Sequence, residues 1–134
     1  MATMIFVNLP VKDLAASRKF YGALGYSFNE QFSDESGACL VISNEIYAML
    51  LTYPKFKGFA PNEIADAKKT TQVLNCLSCN SKDEVNAIVA KALKAGGTRY
   101  SPPQDHGFMF ADSFQDLDGH VWEYMWMDMT AVPT

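Results

Sequence analysis

The chain has 134 residues, of which 49% are hydrophobic, 13% aromatic and 19% charged. That composition is globular, and the length suits one domain or a pair of small modules with a core that needs no disulfide staples. Fifteen acidic against 11 basic residues leave a formal charge of -4, which argues against nucleic acid as the main partner because phosphate binding needs a basic face. No apolar run reaches bilayer-spanning length. The opening Met1 to Phe6 has no basic segment before its apolar residues and no cleavage-like site, so a cytoplasmic location is expected. Cys39, Cys76 and Cys79 are too few for a disulfide scaffold.

Met4 to Val11 alternates as a strand, with Ile5, Val7, Leu9 and Val11 against Phe6, Asn8 and Pro10. Asp13 is placed to cap a helix over Leu14 to Leu24, and Gly25 stands where a helix-terminating glycine belongs. Tyr26 to Ser33 reads as a strand, Asp34-Glu35-Ser36-Gly37 as a turn, Ala38 to Ser43 and Ile46 to Tyr53 as two more strands. Pro54 to Thr71 is irregular, with room for a helical turn, and its length makes it a candidate lid, linker or plain surface loop.

The order then repeats. Gln72 to Cys79 reads as a strand, and Ser81-Lys82-Asp83-Glu84 has capping-box form. Val85, Ile88, Val89, Ala92 and Leu93 make a helical stripe that ends at Gly96-Gly97. Thr98 to Ser101, Phe108 to Phe114 and His120 to Met127 read as strands, the last two joined by an Asp116-to-Gly119 turn, and the tail from residue 128 is unpatterned. The expected organisation is a βαβββ unit used twice: module one at about 4–53, a connector at 54–71 and module two at about 72–127.

This order resembles the vicinal oxygen chelate superfamily, which includes glyoxalase I, extradiol dioxygenases and bleomycin resistance proteins. Val7 to Leu14, followed by Ser17, Phe20-Tyr21 and Leu24-Gly25-Tyr26, is similar to the family signature V-x-D-L-x-x-S-x-x-F-Y-x-x-L-G-F/Y. The re-start at Leu74 to Asn80 is the second match. Phe114 to Glu123 is similar to its D-P-D-G-x-x-x-E turn and final strand, with Leu117 in place of the proline. The resemblance implies an α+β fold, two modules forming a curved mixed sheet around a cleft in one 134-residue domain, and a homodimer. It also implies four metal-ligand positions, which fall here on Phe6, near Leu50, on Leu74 and on Glu123. Only Glu123 carries a donor, so no metal and no cofactor are expected. One carboxylate does not make a metal site.

Strand alternation places Phe6 and Asn8 on the cleft face, and by the same logic Leu50 with Thr52, Leu74 with Cys76, and Glu123 with Met125. Cys76 and Cys79 then fall on opposite faces, which makes the C-x-x-C a poor chelate, and buried thiols acting as small hydrophobes are expected there and at Cys39. Glu123, desolvated by apolar neighbours, is the candidate catalytic base or ligand-recognition group, with retention as a plain solvated carboxylate as the competing reading. Asn8 offers a directional hydrogen bond, and His106 stands near the expected cleft mouth or is simply exposed. His120 reads as a surface residue, and Trp122, Tyr124 and Trp126 as core or interface.

The expected function is metal-free binding of a small apolar or aromatic molecule, as in bleomycin resistance proteins, by Phe6, Asn8, Leu50, Leu74, Glu123, Met125 and His106. The alternative is an enzyme: a glyoxalase- or dioxygenase-type lyase or isomerase, metal-dependent through displaced ligands or using Glu123 as base. Neither nucleic acid nor membrane is an expected partner.

Overall fold

A computed structural model describes residues 2–130. It divides into two compact units, Met1–Asp66 and Ala67–Thr134. The first contains β1 (Ile5–Val11), α1 (Leu14–Ala23), β2 (Ser27–Asn29), a 3-10 turn (Glu30–Phe32), β3 (Gly37–Val41), β4 (Ile46–Thr52) and α2 (Tyr53–Phe59). The second contains β5 (Leu74–Ser78), α3 (Lys82–Lys94), β6 (Gln104–Asp105), β7 (Met109–Gln115) and β8 (Val121–Met127). The fold is α+β, and each unit builds its own four-stranded mixed sheet.

The two sheets have one connectivity. Their strand orders are β1-β4-β3-β2 and β5-β8-β7-β6. In each, the opening strand pairs parallel with the last strand, and the remaining pairs are antiparallel. Parallel pairing needs a long crossover, which the helix and the two intervening strands supply.

Local chemistry sets the helix ends. Asp13 Oδ1 accepts the backbone N–H of Ala16 at 3.1 Å, and Ser81 Oγ accepts that of Glu84 at 3.1 Å. Glu84 reaches back to accept the N–H of Asn80 at 3.2 Å, completing the capping box one residue outside its usual target. Inside the first unit, Leu14, Ser17, Phe20 and Tyr21 of α1 are buried, and the helix packs on β3 and β4. The strand residues of matching parity, Leu9, Val11, Ala38, Leu40, Ala48 and Leu50, form the other half of that core. In the second unit α3 buries Val85, Val89 and Ala92 and packs on β7 and β8, whose Phe114, Trp122 and Tyr124 are buried.

Four details depart from expectation. The strand expected at Tyr26 to Ser33 is only three residues long before a 3-10 turn takes over, because Asn29 accepts the N–H of Gln31 at 3.0 Å and bends the chain. Thr98 to Ser101 is not a strand. Thr98 makes a single bridge to Gln115, and two prolines push the edge strand β6 on to Gln104–Asp105. The irregular connector begins with a full helix, Tyr53–Phe59, with Pro54 in its first turn, where a missing N–H costs nothing. Ile5 shares parity with the core residues yet is 54% exposed, since it lies at the strand's open end. The tail turns at 128–130, where Asp128 Oδ1 accepts the N–H of Thr130 at 3.0 Å. Its last four positions, 131–134, lie outside the described residues.

Candidate functional site

In the first unit, residues paired across strands share a face. Phe6 stands opposite Tyr47, and Asn8 opposite Met49, which in turn stands opposite Cys39. These residues form the face turned away from α1. The rings of Phe6 and Tyr47 stack, with centroids 4.8 Å apart and planes 10° from parallel. Beside them lies a cavity of about 390 Å³ lined by Phe6, Gln31, Phe32, Ser33, Asp34, Cys39 and Met49. Phe32 is 67% exposed, so this wall is a ring in solvent as the chain stands. Ser33 Oγ donates to the Asn29 carbonyl at 2.7 Å and accepts the N–H of Cys39 at 3.0 Å, which ties the cavity's turn to its floor. Burial pushes the Cys39 thiol above its ordinary value, so it stays neutral. Asn8 is on this face, but its amide donates to the Phe6 carbonyl at 3.2 Å.

In the second unit the face turned away from α3 carries different chemistry. Glu123 stands between Cys76 on β5 and Ser113 on β7. The next row holds Ser78, Met125 and Ala111, and Met127 stands opposite Met109 one row further. Leu74, 55% exposed, begins the face opposite Val121. Partial burial and then the Glu123 carboxylate raise the Cys76 thiol. Cys79 lies just past β5, with its N–H on the Met125 carbonyl at 2.7 Å. Its thiol is pushed up to about 11 by burial first and then by Glu84.

The expected site is therefore partly redistributed. Phe6 and Asn8 share one face as expected, and so do Leu74, Cys76, Glu123 and Met125. Leu50 does not join Phe6. It stands opposite Leu9, on the α1 side, and is 0% exposed. Tyr47 and Met49 take its place. The alternation fixes which residues of β4 go together, but not which set faces the helix. His106 is exposed and follows Asp105, whose partner Phe110 stands opposite Trp126, three rows from Glu123. At about 3.3 Å per row this separates His106 from the carboxylate. His120 is half-buried rather than on the surface, its N–H on Asp116 Oδ1 at 2.9 Å. The C-x-x-C thiols are not a buried pair either, since Cys76 is exposed and Cys79 half-buried. Trp122 and Tyr124 are buried on the α3 side, and the Lys82 ammonium lies 5.6 Å from the centroid of the half-buried Trp126 ring.

The four positions at which this fold would hold a metal do not fit one. Phe6 and Leu74 have no donor atom, and Leu50 is on the wrong face. Among the described residues no group of three His, Cys, Asp or Glu side chains is placed to hold an ion. Among these residues, too, no helix is long and apolar enough to cross a membrane.

Comparison with known proteins agrees with this architecture. Residues 3–43 match the family described as Bleomycin resistance protein-like N-terminal. A solved structure of a hypothetical protein, SA1046 from S. aureus, is 27% identical with a TM-score of 0.78, covering 94% of this chain and 95% of its own. A glyoxalase/bleomycin resistance protein/dioxygenase family enzyme from Burkholderia phytofirmans PsJN is 16% identical with a TM-score of 0.76, covering 94% and 99%. The fosfomycin resistance protein FosX from Listeria monocytogenes is 15% identical with a TM-score of 0.69, covering 97% of each chain. The search of curated proteins found no significant match. The class defined here is the duplicated βαβββ fold of the glyoxalase, bleomycin resistance and dioxygenase proteins. The matched opening segment and the shared fold together support the vicinal oxygen chelate superfamily for this chain.

Proposed function

We propose that this protein binds a small, largely apolar or aromatic molecule without a metal, in the manner of sequestration. The observation that carries the reading is the cavity of the first unit, where Phe6, Phe32, Cys39 and Met49 supply apolar wall and Gln31 and Asp34 a polar edge. An apolar hollow with few polar groups is the usual form of a small-molecule site. The neutral aromatic dye Nile red tests it in a fluorescence titration. Binding is expected in the wild type, unchanged by prior treatment with a chelator, and abolished by Phe6→Asp. An unaltered titration in Phe6→Asp would place the ligand elsewhere. Leu74→Asp asks in the same assay whether the second unit's face contributes. We also infer a homodimer, which sedimentation velocity tests directly.

A second reading has one observation in its favour. Glu123 stands in a row with Cys76 and Ser113 on the face away from α3, where a carboxylate could accept a proton from a bound substrate. Glu123→Gln should then remove turnover once a substrate is found. Absence of hemithioacetal turnover in the wild type would remove glyoxalase chemistry from that reading.

A further inference from the structure

We propose that the molecule held in the first unit's cavity joins its aromatic or apolar body to a positively charged group, an alkylammonium or guanidinium, set against Asp34. The inference rests on the binding reading above and names its ligand class. Asp34 is the one carboxylate among the described lining residues, and no lysine, arginine or histidine lines the cavity with it. Its geometry is fixed by the turn that opens β3. The Ser36 N–H and Ser36 Oγ donate to Asp34 Oδ1 at 2.8 Å each, and the Gly37 N–H at 3.1 Å. All three bonds land on Oδ1, so Oδ2 takes no part in the turn. The Ser36 and Gly37 bonds hold the carboxyl below its ordinary value of 3.8, and it is an anion at neutral pH.

A ligand bearing phosphonate or carboxylate would set like charge against this carboxylate beside an apolar wall, whereas a cation completes it. Lys55 is the other charge that Asp34 senses. It does not line the cavity, and its ammonium lies 5.5 Å from the centroid of the Phe59 ring. Lys55 therefore lowers the attraction for a cationic ligand without replacing it.

Phenylbutylamine, phenylbutanol and phenylbutyrate share one apolar body and differ in charge, so their titration into the full chain by ligand-observed NMR separates charge from shape. The amine should bind about threefold tighter than the alcohol and about tenfold tighter than the carboxylate, the scale of an exposed, screened ion pair and its repulsive counterpart. Asp34→Asn keeps the Oδ1 acceptor and hence the turn. It should bring the three affinities together without moving that of the alcohol. Lys55→Gln should raise the amine's affinity. Equal affinities in the wild type, or an amine preference that survives Asp34→Asn, would overturn the charge assignment. If Asp34→Asn does not fold, the amine's advantage in the wild type must still shrink as salt is added, and a salt-independent advantage overturns the proposal. Failure of the underlying reading looks different: none of the three binds, or Phe6→Ala leaves all three unchanged.

Discussion

The two units share one chain path and present two different surfaces. In the first, the sheet face opposite the helix carries Phe6, Tyr47, Cys39 and Met49, and the carboxylate that lines its cavity among the described residues, Asp34, comes from a turn. In the second, the carboxylate Glu123 stands mid-strand, flanked by a thiol and a hydroxyl, with Met109, Met125 and Met127 beyond it. The helix sides share an apolar helix stripe, although the second sheet also buries Asp112 on that side, paired with Arg99. The shared connectivity goes with different chemistry on the faces turned away from the helices, so corresponding positions in the two units are not interchangeable.

The sharpest way to break this comparison is one substitution at two leucines, each at a position where the family resemblance puts a metal ligand. Leu50→Asp should cost at least about 3–5 kcal/mol, because it buries an unpaired charge under α1. Leu74→Asp, at a side chain 55% exposed, should cost about 0.5 kcal/mol or less. Urea unfolding of both variants decides it, and equal losses would mean that Leu50 and Leu74 are equally buried.

A smaller contrast concerns two glycines with positive φ. A Cβ on Gly119, φ +93, would lie 2.8 Å from backbone atoms of Ala67 and Lys68, whereas one on Gly25, φ +103, would meet nothing within 4 Å. Gly119→Ala should therefore cost about 2–3 kcal/mol and Gly25→Ala about 1 kcal/mol, the backbone strain alone. Thermal unfolding of the pair measures the difference. Where the units are alike the effects should match: Asp13→Ala and Ser81→Ala each remove a helix cap and should each cost about 1 kcal/mol.

The weakest effect is chemical. Cys76 is exposed, but burial and Glu123 raise its thiol, so alkylation near neutral pH should be slow. Glu123→Gln removes one of those causes and should speed labelling about twofold; no change would separate the two side chains. Cys79 should hardly react. Its thiol is raised from 9.0 to about 11, so the stability it lends is present below pH 9 and lost as pH climbs through that interval.

Much of this architecture was legible in the residues. The caps at Asp13 and Ser81, the stripe Val85-Val89-Ala92 and the turn at Asp116 to Gly119 are local signals, and all four stand where the sequence places them. The sharing of one face by Glu123 and Met125 followed from a period of two. What the sequence withheld were non-local facts. The face of Leu50 depends on how β4 registers against β1, and Met49 and Leu51 beside it are as apolar as Leu50 itself. The cavity depends on Asn29 ending β2 early and bringing Phe32 and Asp34 round to Cys39, which no spacing announces. Two prolines displaced an edge strand that propensity alone put at Thr98 to Ser101.

The close approach of Gly119 to Ala67 and Lys68 also says where this chain can be cut. That contact belongs to the second unit, while α2 packs on β1 and β4 of the first. Between them, residues 61–66 are exposed except for the half-buried Ile64. A cut in this stretch would sever the backbone without undoing either set of contacts, leaving one fragment for each unit. Expressed separately, they would report what each half can bind by itself.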